Sequence, residues 1–309
     1  MICIRVGDAA LVEAIRRKDP QWIEKAKKKT SAVLQVGRIS DGDGIWSEIK
    51  EVFILLQESK CIYCEFPLPK VDSASADKVS VDYDIEHYRP KNRVTPWPTA
   101  ETLARRPGVR EYLPEVAAGA AAGYLRLAFD PFNYVVSCKV CNSSYKGDRF
   151  PISGKADARS KRRLTLDERE KPLLLFPFGE HGDDPETFLR FTGPTVRPRP
   201  DAGFERLRAQ AVIDFFELDT REGLLEGRCW MIQLLWPRLE ERDSPDPHKR
   251  ARAETFLTTV QAGHRQLHTA CGRAFIDLYE KDRARAEAWY DAAVQYLTSK
   301  DRAIFQSLG

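Results

Sequence analysis

The 309-residue sequence lacks any apolar run long enough to cross a bilayer, since its longest runs, such as Leu173 to Phe176, span only a few residues. It also lacks the apolar core and small-residue cleavage site of a secretory signal peptide near its start. Hydrophobic residues make up 42% of the chain and charged residues 31%, which is typical of a globular protein. These features predict a cytoplasmic protein and argue against a membrane function.

The chain also lacks a strong excess of charge, because its formal net charge is only +3. The charge is nevertheless uneven, with 15 Lys and Arg against 6 Asp and Glu between His87 and Arg163. Such a basic segment would attract a polyanion, for example the phosphate backbone of nucleic acid. The alternative is that part of it, around 105–110 and 159–163, forms ordinary solvated loops.

The length favours a small catalytic unit with helical additions over one compact domain. We predict an N-terminal helical region over 1–60 and a core over 61–163 that contains an insertion at 92–123. The remainder, 164–309, is predicted to begin as an extended wrap and to continue as a helical bundle. The insertion is rich in Pro, Ala and Gly, and we expect it to be partly mobile.

Hydrophobic periodicity gives the elements of the core. The alternation from Val79 to Ile85 predicts a first strand, and a similar alternation from Tyr124 to Phe129 predicts a second. After a turn at 130–133, Tyr134 to Tyr145 is predicted to be a helix. The order β, β, α between helical regions predicts an α+β fold.

Cysteine spacing indicates a metal site. Two Cys-x-x-Cys pairs have the spacing that lets both thiols of a pair face one tetrahedral ion, so together they predict a closed structural zinc site. The three remaining cysteines are isolated and are interpreted as small hydrophobic residues of a reducing compartment. The paired cysteines are Cys61, Cys64, Cys138 and Cys141, and the isolated ones are Cys3, Cys229 and Cys271.

The 73 residues between the two pairs contain Glu86-His87 and, near their end, Asn133. A zinc ion that closes this loop would hold the strand bearing Glu86 and His87 beside the helix bearing Asn142, which directly follows Cys141. Because four thiolates leave no open coordination position for water, hydrolysis would need a second ion with oxygen ligands. Mg²⁺ or Mn²⁺ fits such ligands.

Together these motifs resemble the Cys-flanked branch of the HNH, or ββα-metal, endonucleases. The resemblance covers 60–151 and implies that His87 is the general base, that Glu86 and Asn142 bind the catalytic cation, and that Asn133 braces the loop between the strands. The chain departs from the commoner family pattern in having Glu before the His and Asn instead of His on the helix. Both replacements keep oxygen ligands but leave the choice of metal open.

Several assignments have alternatives. Asp82 or Asp84 could replace Glu86 as a ligand, because a regular strand places these three residues on one face and His87 on the other. A kink at the end of the strand would then be needed to bring Glu86 and His87 to one site. Lys146 and Arg149 could contact flanking phosphates or be ordinary solvated charges. No matching spacing to a Cys or acidic pair is found for the other histidines, His181, His248, His264 and His268. A structural role is favoured for His264 and His268, which are one turn apart on a predicted helix.

More loosely, the segments 60–65, 86–91 and 137–151 are similar to the HNH subunits of bacterial anti-phage systems of the Septu type, including those found with retrons. That similarity implies an effector nuclease held by an ATPase partner, with the C-terminal third as a surface for the partner or for self-association. The substrate is expected to be DNA, although nothing in the sequence distinguishes DNA from RNA. The competing interpretation is a non-catalytic zinc module that binds nucleic acid or protein.

Overall fold

The computed structural model describes residues 1–40, 42, 44–68, 83–160, 162–262 and 266–308. The fold combines many helices with small sheets, which confirms the predicted α+β class. None of the helices in these described ranges has both the length and the apolar character required to cross a bilayer.

The N-terminal region is helical, as predicted. Its helices are α1 (Asp8–Lys18), α2 (Trp22–Val36), a short 3₁₀ segment (Ile45–Ile49) and α3 (Lys50–Leu56). Helix α2 ends at Gly37, which adopts a left-handed conformation (φ 77°) and donates its N–H to the carbonyl of Val33 at 2.7 Å. Glycine adopts this conformation at the least steric cost, so it stops the helix cleanly.

The centre of the molecule is an antiparallel pair of strands followed by a helix. Strand β1 (Tyr83–His87) pairs with the later strand Tyr134–Cys138, with Glu86 opposite Val135 and His87 opposite Tyr134. A π-helix at Val140–Lys146 follows directly. The order β, β, α was therefore predicted correctly, although residues 79–82 of the first predicted strand lie outside the described residues.

The position of the second strand was predicted wrongly. Tyr124 to Phe129 forms turns around a short 3₁₀ segment, whereas the strand runs over Tyr134–Cys138, in the range predicted to be helical. All five residues of this strand are buried, so its sequence, Tyr-Val-Val-Ser-Cys, does not alternate between apolar and polar residues. A short buried strand of this kind cannot be distinguished from a helix by periodicity.

The insertion at 92–123 forms secondary structure and is packed against the rest of the chain. It contains α4 (Ala100–Arg105), a 3₁₀ segment (Pro107–Glu115) and β2 (Ala117–Ala118). Arg106 is mostly buried and forms ion pairs with Asp214 at 2.5 Å and Asp219 at 2.9 Å. Two such ion pairs and the buried Trp97 and Val109 hold the insertion in place.

The strand Tyr134–Cys138 is β3. Later elements complete the fold. Leu189 to Pro198 forms a hairpin, and the five long helices of the predicted bundle follow from Gly203. The elements are β4 (Pro151–Ile152), which pairs with β2, then α5 (Arg163–Glu170), α6 (Pro185–Phe188), β5 (Leu189–Thr192), β6 (Thr195–Pro198), α7 (Gly203–Phe216), α8 (Glu222–Glu241), α9 (Pro247–Ala262), α10 (Thr269–Lys281) and α11 (Arg283–Ser299).

Two large apolar cores support this arrangement. The larger joins the N-terminal helices, the β1–β3 pair and helix α7, and includes the side chains of Trp22, Phe53, Tyr134 and Phe216. The second lies within α8 to α11 and is built around Trp289. The N-terminal helices therefore share one core with the ββα unit, which fixes their position beside β1.

Candidate functional site

The four paired cysteines form one buried cluster. Their sulfur atoms all lie within 4.8 Å of one another, and the sulfurs of Cys64 and Cys138 are 3.8 Å apart. Cys61 and Cys64 lie in a turn after α3, where the N–H of Cys61 donates to the carbonyl of Phe66 at 2.9 Å. Cys138 ends β3 and Cys141 lies in the π-helix. Two elements far apart in sequence thus meet as the cysteine spacing predicted.

This cluster fits a structural zinc ion. Zinc–sulfur bonds of about 2.3 Å in a tetrahedron place the sulfurs about 3.8 Å apart, close to the distance between Cys64 and Cys138. Contacts from the other three sulfurs lower the pKa of Cys138, whereas burial raises the pKa of Cys61 well above its usual value. A buried divalent ion would let all four act as thiolates.

Arg221 is a part of this site that the sequence did not identify. Its Nη1 donates to Sγ of Cys141 at 3.2 Å, and its guanidinium lies 5.3 Å from the ring centroid of Tyr145. Four thiolates and one zinc ion carry a net negative charge, which a neighbouring guanidinium reduces. No local motif reveals Arg221, because it comes from the turn before α8.

The three isolated cysteines are separate from the cluster. Cys229 and Cys271 are buried, as expected of small hydrophobic residues, while Cys3 is only half-buried. Burial raises the pKa of Cys271 to about 12 and that of Cys3 to about 11. These thiols are therefore protonated and poorly reactive at neutral pH.

Glu86 faces the π-helix. Its Oε1 lies 3.0 Å from Nζ of Lys146, and the alignment is that of an ion pair rather than a good hydrogen bond. Burial raises the pKa of Glu86 to about 6, and the attraction of Lys146 limits the rise. Lys146 is 0% exposed, so it does not reach the surface to contact a flanking phosphate as the sequence suggested. Lys146 is buried because the buried carboxylate of Glu86 needs a cationic partner.

His87 lies on the opposite side of β1. Its Nε2 is 3.0 Å from the carbonyl oxygen of Ala128, and its ring lies edge-on to Trp46 and Tyr134, with centroids 4.9 and 4.8 Å away. Only 5% of His87 is exposed. Burial lowers the pKa of its imidazole well below 6.5, so the ring is neutral at neutral pH.

The kink expected at the end of β1 is absent. Glu86 and His87 keep the regular register with Val135 and Tyr134, and the N–H of Tyr88 then donates to the carbonyl of Asn133 at 2.9 Å. Because the ladder continues, the carboxylate and the imidazole point to opposite faces. Of the alternative ligands, Asp84 is exposed and Asp82 lies outside the described residues.

Asn133 connects the two ends of the loop between the strands. Its Oδ1 accepts the N–H of Arg89 at 2.9 Å, and its Nδ2 donates to the carbonyls of Arg89 at 3.0 Å and Leu127 at 3.3 Å. The side chain is buried, and these bonds satisfy the amide. They hold the backbone just after His87 against the segment that carries Ala128.

Asn142 and Arg149 lie at the two ends of the π-helix region. Asn142 is half-buried and precedes Lys146 by four residues, about one helical turn. Arg149 donates from Nη1 to the carbonyls of Tyr145 at 2.7 Å and Ser144 at 3.3 Å. Arg149 therefore caps the end of the helix in this conformation, and the suggested phosphate contact would compete with these bonds.

Arg89 anchors the loop that follows His87, and the sequence analysis gave it no such role. It is buried, and it pairs through Nε with Glu170 and through Nη2 with Asp167, both at 2.8 Å. Glu170 also accepts the hydroxyl of Tyr124 at 2.6 Å and the N–H of Asp157 at 2.9 Å. This network ties α5 to the loop and restrains the direction of the chain beyond His87.

Of the remaining histidines, the three that the structure describes do not join the site. His268 is buried near Glu65, Lys60 and Arg228, and burial lowers its pKa to about 3. His181 and His248 are exposed, and His264 lies outside the described residues. A structural role fits His268, whose neutral ring fills space beside Gly227.

Searches for related proteins found no match to a family model, a curated protein or a solved structure. The functional argument therefore depends on the motifs and on the arrangement of the side chains. That arrangement comprises a four-thiol cluster, a carboxylate that faces a helix and a neutral imidazole at the end of the same strand.

Proposed function

We propose that this protein is a metal-dependent endonuclease of the HNH type, which hydrolyses phosphodiester bonds of nucleic acid, with DNA as the substrate. The observation that carries the proposal is the β1–β3 pair and π-helix, stapled by the cysteine cluster, with Glu86-His87 at the end of β1. This is the order of elements that the sequence resemblance implies. The basic segment from His87 to Arg163, which contains β3 and the π-helix, supports a polyanionic substrate.

His87 is proposed as the general base. A carbonyl oxygen can only accept a hydrogen bond, so the bond to Ala128 places the proton on Nε2 and leaves a lone pair on Nδ1. The lowered pKa keeps the ring neutral but also makes it a weak proton acceptor while it is buried, so base catalysis requires His87 to become exposed to water. Asn133 is proposed as the brace that keeps the Ala128 segment and the chain after His87 in place.

Glu86 and Asn142 are proposed to hold the catalytic cation. Glu86 is already a cation-binding group in this structure, because its buried carboxylate pairs with the ammonium of Lys146. Asn142, on the helix that carries Lys146, offers an amide oxygen. When bound there, Mg²⁺ or Mn²⁺ would stabilise negative charge on the phosphate and the leaving oxygen. Lys146 then has to yield its place at Glu86.

The covered position of His87 implies that cutting requires a rearrangement. Trp46, from the 3₁₀ segment before α3, packs on the imidazole, and the ammonium of Lys91 lies 4.6 Å from the centroid of the Trp46 ring. Only 5% of His87 is exposed, and its imidazole points to the opposite face of β1 from the carboxylate of Glu86. A shared site therefore requires both the cover over His87 and the end of β1 to move. We therefore propose that the conformation described here is the resting form of the nuclease.

A plasmid-nicking assay tests the proposal. The protein should convert supercoiled DNA to nicked or linear forms with Mg²⁺ or Mn²⁺ and should not do so with chelator. His87→Ala should abolish cutting while zinc content and circular dichroism stay unchanged, and His181→Ala, at an exposed histidine, should cut normally. Equal cutting by His87→Ala and the parent would refute the assigned base.

The burial of His87 also favours a second candidate, a zinc module that binds nucleic acid or protein without cutting. In that case His87, Trp46 and Tyr134 are a structural aromatic cluster. Such a protein would shift DNA in a gel but leave it intact under every metal condition. His87→Ala would then lower stability without affecting any phosphodiesterase activity.

The cellular role proposed from the sequence resemblance is that of a cytoplasmic effector in anti-phage defence, held by an ATPase partner. Its support is the likeness of the motif-bearing segments to nuclease subunits of such systems. Cells carrying this gene with a neighbouring ATPase gene should resist phage, and His87→Ala should remove the resistance. Full resistance with His87→Ala would contradict the effector role.

A further inference from the structure

A large basic groove lies in the C-terminal half of the protein, outside the candidate site. It is formed by the β5–β6 hairpin, helix α10, the start of α11 and the 3₁₀ segment Arg302–Ser307, and encloses about 910 Å³. Seven Lys and Arg side chains line it, against three Asp and Glu. The excess of positive charge indicates an anionic ligand.

The acidic residues of the groove do not neutralise this charge, because each already has a partner. Glu186 pairs with Arg273 at 2.5 Å, Asp277 with Lys281 at 2.7 Å, and Asp219 with Arg106 at 2.9 Å. Among the described residues, no carboxylate lies within ion-pair distance of the other five arginines of the groove. These five, all exposed, are Arg190, Arg197, Arg199, Arg285 and Arg302.

The hairpin places three of these arginines close together. Arg190 and Arg197 are direct cross-strand partners, and Arg199, two residues beyond Arg197, continues the same side of the ribbon. Like charges directly opposite each other on neighbouring strands destabilise a hairpin. Three arginines at this position therefore do not serve the stability of the free protein, and a bound anion would remove the repulsion.

We propose that this groove binds the phosphate backbone of a nucleic-acid strand. All five arginines are exposed and are spread over the hairpin, α11 and the C-terminal 3₁₀ segment, so a chain of phosphates can contact them together. A single nucleotide carries its charge at one end and would leave most of them without a partner. The exposure of the arginines also argues against an enclosed nucleotide pocket.

The groove adjoins the zinc cluster through one turn of the chain. Asp219 and Thr220 line the groove, and Arg221, the next residue, donates to the sulfur of Cys141. A strand bound in the groove would thus be held beside the ββα unit. The inference rests on the proposed function only in the choice of nucleic acid as the polyanion, and binding can be tested without cutting.

Charge removal tests the groove. The groove variant is a triple substitution, Arg190→Gln, Arg197→Gln and Arg199→Gln. The control variant also removes three exposed charges, but from α1, α9 and the chain just beyond α2, through Arg16→Gln, Arg252→Gln and Arg38→Gln. Both would carry His87→Ala, without added Mg²⁺ or Mn²⁺. Anisotropy of a short labelled DNA would be measured over a range of salt concentrations. The groove variant should bind about tenfold or more weakly, with a salt slope smaller by about 2 to 3, and the control should match the parent.

Three outcomes would overturn the inference. They are no DNA binding by the parent, equal weakening in the groove and control variants, and full displacement of DNA by ATP at a concentration that saturates a nucleotide site. Failure of the proposed function gives a different result. If the protein with His87 intact cuts neither DNA nor bis(p-nitrophenyl) phosphate with any metal, the nuclease proposal fails. The binding comparison still shows whether the groove binds DNA.

Discussion

At the scale of single residues, Glu86 and His87 are neighbours in sequence but have opposite surroundings. Glu86 faces Lys146 and the π-helix, while His87 faces Trp46, Tyr134 and the carbonyl of Ala128. Burial raises the pKa of the carboxyl to about 6 and lowers that of the imidazole. In both cases the low-dielectric surroundings favour the neutral form, and only Glu86 has a charged partner to oppose this.

Trp46→Ala should increase nuclease activity several-fold, because it removes the ring that covers His87. The measurement is the initial rate of plasmid nicking, with Trp230→Ala as the control at an exposed tryptophan on α8. If Trp46→Ala folds normally and cuts no faster than Trp230→Ala, Trp46 does not limit access to the imidazole.

Lys146→Met should destabilise the metal-free protein by about 3 to 5 kcal/mol, because the carboxylate of Glu86 would stay buried without its cationic partner. If Glu86 binds the catalytic cation, Mn²⁺ should restore part of this stability, since a ligand that binds only the folded state shifts the unfolding equilibrium. Denaturant unfolding with and without Mn²⁺ measures both effects. The control Lys139→Met, at an exposed lysine beside the helix, should show neither the loss of stability nor the recovery with Mn²⁺. If Mn²⁺ does not stabilise Lys146→Met, Glu86 is not a ligand of the cation.

At the scale of elements, the cysteine cluster joins the turn after α3 to the end of β3 and the π-helix, parts of the chain that are far apart in sequence. The turn after α3 contacts the end of β3 through Gln57, whose side chain donates to the carbonyl of Val136 at 2.7 Å and accepts its N–H at 2.8 Å. A zinc ion bound by the four cysteines would add a crosslink at the same junction. The π-helix, which begins directly after β3, has its direction set by Cys138 and Cys141.

Cys138→Ser should remove the bound zinc and loosen the junction of β3 with the π-helix, because a hydroxyl is a poor replacement for a thiolate ligand. Zinc released on denaturation, measured with a colorimetric chelator, should fall from a single ion per chain to none. The half-buried Cys3 gives the control, since Cys3→Ser should retain its zinc. Retention of zinc by Cys138→Ser would show that the cluster is not the binding site.

At the scale of the whole molecule, unneutralised positive charge does not lie where the sequence alone predicts it. The segment between His87 and Arg163 is basic, yet several of its arginines are paired, for example Arg89 with Glu170 and Arg106 with Asp214. The C-terminal part is acidic in balance, but its hairpin and helices gather arginines along the groove that form no ion pair with a described carboxylate. Folding thus neutralises part of one basic region and assembles another.

The contribution of His268 to the stability of the fold should fall as pH decreases below about 6.5, because the buried ring is held neutral. Burial lowers its pKa to about 3, so between these pH values the unfolded state binds a proton that the folded state does not. The stability is fully present above 6.5 and is lost as pH falls toward 3. Between pH 7 and 5 this amounts to about 2 kcal/mol.

Denaturant unfolding of the protein and of His268→Gln at the two pH values checks this expectation. The variant should lose about 2 kcal/mol less than the parent. His248→Gln, at an exposed histidine, should follow the parent. Identical pH dependence of His268→Gln and the parent would show that another group is responsible.

The helices and the cysteine cluster were predictable because their signals are local. An apolar residue every three to four positions is enough to indicate a buried helix face, as in α7 and α10, and the Cys-x-x-Cys spacing sets the geometry of each half of the metal site. The strand Tyr134–Cys138 was missed because burial on both faces removes alternation. The packing of the 92–123 insertion was missed because the partners of Arg106 lie more than a hundred residues away.

The sequence by itself determined that four thiols meet, that helices surround a small ββα unit, and that Glu86, His87 and Asn133 belong to the same region. Only the tertiary structure decided that Trp46 covers His87, that Lys146 is buried against Glu86, and that arginines from the hairpin, α11 and the C-terminal 3₁₀ segment line one groove. The physical reason is the separation along the chain of the residues that interact. Spacing within a few residues fixes which side chains share a face, whereas burial and charge pairing depend on elements that meet only after the chain has folded.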